Sequence, residues 1–399
     1  MKTLIVFGTR PEAIKMAPLY HELLNPTLRS FDKLRTVLRQ AQDEAQCDIV
    51  EKTKSNFEVK VCVTAQHRKM LDQVLDFFEI VPDYDLDLMQ ANQSLNSLSA
   101  KILAKIDEVL SIEKPDLVLV HGDTTTSSMV ALAAFHLGIK VGHVEAGLRT
   151  YNKQAPFPEE VNRQITSRIA DIHFTPTPQA TQNLLNEGIA PNTIVETGNT
   201  VIDALFWTST KMANPSFLHP EIEILKSIIP IDKKIILVTG HRRENFGAGF
   251  QNLCEALLKI SEREDVSIVY PVHLNPNVKD VVYELLSNQK NIHLVTPVSY
   301  PAFVWLMQQS YLIVTDSGGI QEEAPSLGKP VVVTRTVSER PEGVSAGFST
   351  LVGTDTVKII KTIEGILDQF TGFENPKNPY GDGDASRRIV DYLYNSFIK

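Results

Sequence analysis

The segment Lys233-Lys234-Ile235-Ile236-Leu237-Val238-Thr239-Gly240 is a short apolar run that ends in a glycine turn. The chain begins with a similar run, Met1-Lys2-Thr3-Leu4-Ile5-Val6-Phe7-Gly8. After each run, short segments rich in Val and Ile alternate with longer amphipathic segments, a pattern typical of βαβ units and parallel sheets. The sequence therefore predicts two α/β domains, each built on a parallel sheet.

The predicted strands fall into two series. The first lies near residues 2–7, 59–64, 116–121, 140–144, 170–174 and 193–197, and the second near 234–239, 266–271, 291–295, 311–315 and 330–334. We expect two facing Rossmann-like, doubly wound domains. Ligands bind such sheets at the carboxyl ends of the strands, so we expect an active-site cleft between the domains.

Domain boundaries follow from the same alternation. We expect residues 1–205 to form an N-terminal Rossmann-like domain and residues 206–375 a C-terminal, nucleotide-binding one. A final helix in 376–399 is predicted to pack back on the N-terminal domain. The polar stretch 25–56 is interpreted as a surface insertion without a catalytic role, because connections this long are usually excursions.

Composition excludes several classes of protein. The 399 residues are 43% hydrophobic and 22% charged, and no apolar run is long enough to span a bilayer. The first run reads as a strand and not as a signal peptide, so a cytoplasmic location is expected. A net charge of −9 argues against nucleic-acid binding. No metal is expected either, since Asp382-Gly383-Asp384 lies far from any predicted strand end.

The turn after the first strand has features of an anion site. It reads Gly8-Thr9-Arg10-Pro11-Glu12-Ala13-Ile14-Lys15 and lacks the G-x-G-x-x-G nicotinamide fingerprint. Backbone N–H groups at a helix start and the fork of Arg10 both suit phosphate oxygens. A plain βα turn with a solvated arginine is the alternative.

Carboxylates follow two later strands of the first series. Asp123 comes just after the strand that ends at His121, where it is either a functional carboxylate or a helix N-cap. Glu145 ends a buried strand, where an ionised carboxylate is costly unless it is paired. Either Arg149 neutralises it or function requires it. Glu159 follows in a loop punctuated by prolines.

The second series carries the strongest candidate for an anion site. Thr315-Asp316-Ser317-Gly318-Gly319 joins a strand to a helix start, which directs several N–H donors toward one point, as a diphosphate requires. Glu323 lies farther along that helix, where it can accept from ribose hydroxyls. His241 stands beside two arginines that favour its neutral form, which suits a proton carrier or a phosphate hydrogen bond. His273 is expected to be a satisfied core histidine.

These loops together resemble the non-hydrolysing bacterial UDP-N-acetylglucosamine 2-epimerases, which share the GT-B architecture. The resemblance covers nearly the whole chain outside 25–56. It rests on Gly8–Lys15, Thr64–Arg68, His121–Thr126, Gly142–Thr150, Gly240–Glu244 and Thr315–Pro330. It implies reversible conversion of UDP-GlcNAc to UDP-ManNAc for cell-surface polysaccharide, with no added cofactor.

The resemblance also implies residue roles. It places acid–base chemistry on Asp123, Glu145 and Glu159, with Lys15 in the same pocket and His241 counted among the catalytic residues. It places the nucleotide and diphosphate on Arg10, His241, Ser317, Gly318, Gly319, Glu323 and Arg340, with Phe303 near the uracil. It further implies a homodimer, and activation by UDP-GlcNAc at a second site that includes Gln66, His67, Arg68 and Arg243.

Three other functions fit the same nucleotide site. A GT-B glycosyltransferase is the main alternative, although many retaining members carry a second glutamate eight positions before the one matched here, where this chain has Thr315. A hydrolysing epimerase and a catalytically silent UDP-sugar sensor are the others. Because the C2 hydrogen is not acidic and a nicotinamide fingerprint is absent, we expect elimination of UDP to 2-acetamidoglucal followed by re-addition.

Overall fold

A computed structural model of the chain describes residues 1–25, 56–64, 68–88, 90, 93–374 and 376–398. These residues form two compact units. The first unit comprises Met1–Ala204 and Gly383–Lys399, and the second comprises Leu205–Asp382. Nearly all of the predicted insertion at 25–56 lies outside the described residues.

The first unit alternates strands and helices along the chain. Its strands are β1 (Lys2–Phe7), β2 (Glu58–Val63), β3 (Tyr84–Asp85), β4 (Leu117–His121), β5 (Lys140–Val144), β6 (Ile172–Thr175) and β7 (Ile194–Glu196). Its helices are α1 (Arg10–Leu24), α2 (Arg68–Phe77), α3 (Leu95–Glu113), α4 (Thr125–His136), α5 (Glu159–Ile169) and α6 (Pro178–Asn186). The boundary between the units falls within α7 (Thr200–Ala213).

The strands of the first unit are all parallel, in the order β3-β2-β1-β4-β5-β6-β7. The chain moves outward from β1 to β3 and then returns to the other side of β1 at β4. Strand order thus reverses between β1 and β4. Doubly wound sheets bind ligands outside the carboxyl ends of the strands at such a reversal, so the loops after β1 and β4 are placed for a site.

The second unit repeats this plan. Its strands are β8 (Lys234–Thr239), β9 (Val266–Pro271), β10 (Ile292–Val295), β11 (Ser310–Thr315), β12 (Val331–Val333) and β13 (Ser349–Leu351). They pair in parallel in the order β10-β9-β8-β11-β12-β13, so the reversal lies between β8 and β11. The helices are α8 (Pro220–Ile228), α9 (Ala248–Ser261), α10 (Pro276–Leu286), α11 (Tyr300–Gln309), α12 (Gly318–Glu323), α13 (Pro341–Ser345) and α14 (Thr356–Gln369).

The central strands are buried along most of their length. Every residue of β4 is buried, as are Ile235–Val238 of β8. Continuous apolar runs are typical of parallel strands covered by helices on both faces. Each sheet has its own core, with Leu4, Val6 and Ile102 in the first and Ile236 and Leu257 in the second. None of the helices in the described ranges is long and apolar enough to cross a bilayer.

The predicted class of two doubly wound α/β domains is confirmed. All the predicted strands are present, with ends displaced by at most two residues. Prediction missed β3 and β13, which are two and three residues long. Neither strand has the Val and Ile residues that identified the similarly short β7 and β12, and both lie at a sheet edge.

The C-terminal helix α15 (Ala385–Phe397) belongs to the first unit and packs against α1. The buried carboxylate of Asp203 accepts from the backbone N–H of Ser386 at 2.7 Å and of Ala385 at 3.3 Å. These bonds satisfy donors that the first turn of a helix leaves without partners. Burial raises the pKa of Asp203 to about 6.

We predict that Glu22→Gln stabilises the protein more at about pH 8 than at about pH 5. Burial on α1, then the negative charges of Asp391 and Asp203, raise the pKa of Glu22 to about 7. The stability that its protonation provides is present below the unfolded-state pKa and is lost as pH rises through the folded-state pKa. Glutamine does not titrate, so the gain in unfolding midpoint grows to a few degrees as pH rises.

Thermal unfolding across this pH range provides the measurement, with Glu108→Gln at an exposed site of the same unit as control. A gain for Glu22→Gln that is equal at both pH values would contradict the prediction.

Candidate active site

The turn after β1 is held by a buried carboxylate. Glu12 is 2% exposed and accepts from the backbone N–H of Gly8 at 3.0 Å and of Thr9 at 2.8 Å. It also accepts from the hydroxyls of Thr124 at 2.7 Å and Ser127 at 3.2 Å, in the loop after β4 and the first turn of α4. Burial raises the pKa of Glu12, and these hydrogen bonds oppose that rise. Glu12 therefore joins the two loops at the strand reversal.

Sequence reasoning did not identify Glu12 as part of the site. The signal was available, because Thr9 and Glu12 have the spacing of a helix capping box, and the structure shows both of its hydrogen bonds. Arg10 is the first residue of α1 and lies next to this turn.

Glu145 lies at the end of β5, the neighbour of β4, in a left-handed backbone conformation with φ of +62°. The ammonium group of Lys15, which is 7% exposed, donates to Glu145 Oε2. The side-chain amide of Asn199 donates to the same oxygen at 2.8 Å. Two donors on one oxygen stabilise the ionised carboxylate. A positive φ is uncommon for a residue with a side chain and often occurs at functional sites.

The alternative that Arg149 neutralises Glu145 is wrong. Arg149 donates instead to Glu187, with distances of 2.7 and 2.9 Å, and to the hydroxyl of Ser167. Sequence proximity favoured Arg149, which is four positions from Glu145, whereas the cation that neutralises Glu145 lies 130 positions away. Long-range pairs of this kind depend on tertiary structure.

Asp123 is not a helix N-cap. Thr124 performs that role, because its hydroxyl accepts from the backbone N–H of Ser127 at 3.1 Å. The carboxylate of Asp123 accepts instead from Arg163, a buried residue of α5. Arg163 also pairs with Glu160 at 3.1 Å, and Glu160 accepts from the backbone of the loop that precedes α5.

Gly122, which precedes Asp123 in the chain, lies close to Glu145. Oε1 of Glu145 lies only 3.5 Å from the position that a Cβ atom on Gly122 would occupy, next to Asp123. Glu159 is the first residue of α5 and is half-buried. Arg163 lies on the same helix as Glu159 and forms an ion pair with Asp123. The predicted acid–base residues thus lie on loops and on a helix start around one strand reversal.

Buried histidines surround this edge of the sheet in neutral form. His121 Nε2 lies 3.7 Å from Glu145 Oε2, and burial lowers the pKa of His121 to about 4, although Glu145 opposes that shift. Burial lowers the pKa of His143 to about 3, and its Nε2 is 2.7 Å from the carbonyl oxygen of Gly122. Near neutral pH both rings are therefore uncharged.

In the second unit, Asp316 joins the loops at the reversal between β8 and β11. Its fully buried carboxylate accepts from the backbone N–H groups of His241 and Arg242, each at 2.9 Å. The side chain of Asn245 donates to it at 3.3 Å. Nothing in the sequence distinguished Asp316 from its neighbours as the residue that organises the loop after β8.

His241 lies over this carboxylate, with Nδ1 3.4 Å from Asp316 Oδ1. Desolvation lowers the pKa of His241, Asp316 opposes this, and Arg242 and His273 add to the lowering. His273 is exposed and stacks on His241 with ring centroids 5.7 Å apart. The expectation that His273 is a core residue is therefore wrong: the chain leaves the sheet after β9, and the ring lies beyond the buried strand.

The turn after β11 is packed against Arg340. Ser317 precedes α12, and a Cβ atom on Gly318 would lie 2.6 Å from the guanidinium carbon of Arg340. Only a glycine at this position lets the guanidinium lie against the helix start. Arg340 is 8% exposed and donates to Glu322 at 2.9 Å and to Glu339 at 2.6 Å. Burial would raise the pKa of Glu339, but Arg340 and Arg335 lower it to about 2.

Two residues predicted to contact the nucleoside lie near each other in the fold. The hydroxyl of Tyr300, the first residue of α11, donates to Glu323 of α12 at 2.7 Å. Phe303 follows three positions later on α11 and is half-buried. Glu323 is thus oriented by α11, the helix that also carries Phe303.

The predicted second site cannot be located in the structure. Gln66 and His67 lie outside the described residues, as do the side chains of Arg68 and Arg243. In the described ranges, no group of three His, Cys, Asp or Glu side chains is arranged to hold a metal ion.

Comparison with known proteins identifies the family. The model of the UDP-N-acetylglucosamine 2-epimerase family matches residues 50–394. The UDP-N-acetylglucosamine 2-epimerase of Escherichia coli K12 is 50% identical over 402 residues, and the alignment covers 100% of both chains. That of Campylobacter jejuni is 50% identical over 401 residues, covering 98% of this chain and 97% of the relative.

Solved structures agree with this assignment. The UDP-GlcNAc 2-epimerase of Neisseria meningitidis, bound to UDP-GlcNAc, is 46% identical with a TM-score of 0.87, covering 99% of this chain and 100% of that one. The enzyme of Methanocaldococcus jannaschii, in complex with UDP-GlcNAc and UDP, is 32% identical with a TM-score of 0.79 and the same coverage. The chain therefore belongs to the UDP-N-acetylglucosamine 2-epimerases.

Proposed function

We propose that the chain converts UDP-GlcNAc reversibly to UDP-ManNAc by eliminating UDP from the sugar and adding it back. The observation that carries this proposal is the pair of carboxylates at neighbouring strand ends, Asp123 held by Arg163 and Glu145 held by Lys15. The substrate is supported by the Neisseria meningitidis relative, which is bound to UDP-GlcNAc.

Elimination makes an otherwise unreactive C–H bond acidic. Breaking the C1–O bond leaves its electron pair on UDP and gives the ring oxocarbenium character. A carboxylate then takes the C2 proton, and the C–H electron pair becomes the C1–C2 double bond of 2-acetamidoglucal. Protonation of C2 from the opposite face and return of UDP to C1 give the epimer.

Protons leave and arrive on opposite faces of one carbon, so the reaction needs two acid–base groups or one that moves. Asp123 and Glu145 are the two groups that we assign, and Glu159 at the start of α5 is a third candidate. Arg163 and Lys15, both buried, hold the carboxylates of Asp123 and Glu145 in place by direct ion pairs.

We assign the leaving diphosphate to the turn Ser317–Gly319, Arg340, Arg10 and His241. Charge builds up on this group as the C1–O bond breaks, and preorganised donors at a helix start stabilise such charge. Arg340 is already oriented by Glu322 and Glu339, so little reorganisation is needed. We assign the uracil to Phe303 and the ribose hydroxyls to Glu323.

A glycosyltransferase using the same donor is not favoured, because the whole chain aligns with epimerases. The predicted homodimer, the cytoplasmic location and the activation by UDP-GlcNAc at a second site stay predictions.

The proposed function predicts that incubation with UDP-GlcNAc in deuterated water yields UDP-ManNAc carrying deuterium at C2, as followed by NMR. Exchange is expected because the group that protonates C2 from the opposite face carries a proton that comes from solvent. Free ManNAc would indicate hydrolysis. Sugar transfer that appears only with an added acceptor would indicate a glycosyltransferase, and no reaction would indicate a sensor.

Replacing either assigned carboxylate should remove exchange while leaving UDP binding intact. We predict that Asp123→Asn and Glu145→Gln each lower C2 exchange at least about 100-fold, because general acid–base groups contribute about 10²- to 10⁴-fold. UDP affinity, measured by calorimetry, should stay near that of the wild type. Asp265→Asn, at a surface ion pair with Arg263, is the matched control. Full exchange in both variants would refute the assigned roles.

The packing of Gly318 gives a test of the diphosphate site. We predict that Gly318→Ala weakens UDP binding at least about tenfold, because its methyl group would displace the guanidinium of Arg340. Gly319→Ala should have a smaller effect, since nothing lies within 4 Å of its Cβ position. Gly365→Ala, in the middle of α14 with equally open space, is the control for a general helix effect. Equal losses for Gly318→Ala and Gly319→Ala would contradict the assignment of Arg340.

A further inference from the structure

Asn199 is a buried amide that contacts a proposed catalytic carboxylate. It precedes α7, is 2% exposed and lies in the loop that follows β7. Its Nδ2 donates to Glu145 Oε2 at 2.8 Å, and its Oδ1 accepts from the backbone N–H of Val201 at 3.0 Å.

The backbone fixes the orientation of this amide. The N–H of Val201 can only donate, so the oxygen of the Asn199 side chain must face it, and the NH₂ group must face Glu145. An NH₂ group in turn requires an acceptor, which the ionised carboxylate provides. The loop itself is held by Arg388 of α15, which donates to the carbonyl oxygen of Thr197 at 2.9 Å.

The two oxygens of Glu145 have different surroundings. Oε2 accepts from both Lys15 and Asn199, with His121 Nε2 3.7 Å away. A Cβ atom on Gly122 would lie 3.5 Å from Oε1. The two hydrogen bonds to Oε2 restrict rotation of the carboxylate and so fix the direction in which it faces a substrate.

We propose that Asn199 is a positioning residue for epimerisation, which holds Oε2 of Glu145 so that the carboxylate is oriented to exchange the proton at C2. This inference rests on the proposed role of Glu145. In the elimination step the C2–H bond breaks and an O–H bond forms on Glu145, while the C–H electron pair enters the C1–C2 double bond and the C1–O pair leaves with UDP. In re-addition the second acid–base group protonates the opposite face of C2 with the electron pair of the double bond, and an oxygen of UDP bonds to C1.

Removal of the Asn199 amide changes the pH dependence of the reaction. Among the described residues, Lys15 from α1 and His121 from β4 are charged or titratable groups that face Glu145, and Asp123 in the adjacent loop acts on His121. The Asn199 donor stabilises the ionised form of Glu145, so without it ionisation requires a higher pH. In the plot of kcat against pH, the decline on the acidic side (the acidic limb) therefore shifts to higher pH.

Two substitutions separate this role from helix capping. Asn199→Ser and Asn199→Asp both keep an acceptor for the first turn of α7. Serine loses the donor to Glu145, and aspartate also adds a like charge. We expect kcat to fall roughly 10- to 100-fold with KM within a few-fold of the wild type, because one hydrogen bond to a charged group is lost. The acidic limb should move up by about one pH unit for serine and farther for aspartate.

Thr177→Ala is the control, because Thr177 caps α6 through the backbone N–H of Ala180 at 3.1 Å and has no role in the proposed site. It should lower the unfolding midpoint without moving the acidic limb. Wild-type C2 exchange together with an unchanged limb and kcat in both Asn199 variants would overturn the inference alone. Absence of exchange in the wild type would overturn the proposed function and this inference with it. If Asn199→Asp does not fold, Asn199→Ser decides.

Discussion

In each sheet, a buried carboxylate that accepts backbone hydrogen bonds holds together the loops that follow the two strands at the reversal of strand order. In the first unit Glu12 bonds the turn after β1 to the loop after β4. In the second unit Asp316, after β11, bonds the loop after β8. Burying such a group is costly unless donors surround it, and here the donors are the N–H groups that tight turns expose. The positions of the candidate site residues depend on these two contacts.

The residues with proposed chemistry are attached to these loops or to neighbouring strand ends, and Asp123, Glu145 and Arg340 each have an opposite charge nearby. Asp123 and Glu145 are held by Arg163 and Lys15, while Arg340 is held by Glu322 and Glu339. His121, beside Glu145, is neutral, because burial outweighs the attraction of the carboxylate. In the proposed function, a substrate with a diphosphate and an uncharged sugar would meet groups whose orientation is already set, which is the condition for electrostatic stabilisation of a transition state.

Sequence patterns predicted the strands and turns well, because apolar runs and glycine turns are local signals. They also selected Asp123, Glu145 and the Ser317–Gly319 turn, since function at a strand end follows from the topology of a doubly wound sheet. The partners of those residues were not predictable. Lys15 and Asn199 approach Glu145 from far along the chain, and the nearby Arg149 pairs elsewhere. His273 was misplaced because the buried strand ends two residues before it.

In the proposed mechanism, cleavage of the C1–O bond gives the two candidate sites separate roles, because we assign the sugar to the carboxylates of the first unit and the diphosphate to the turn in the second unit. Its most direct test uses UDP-GlcNAc with ¹⁸O in the bridge between C1 and the β-phosphorus, analysed together with deuterium uptake at C2. Elimination and return of UDP predict that the label migrates to the non-bridging β-phosphoryl oxygens while C2 exchanges. Complete exchange at C2 with all of the label retained in the bridge would contradict elimination.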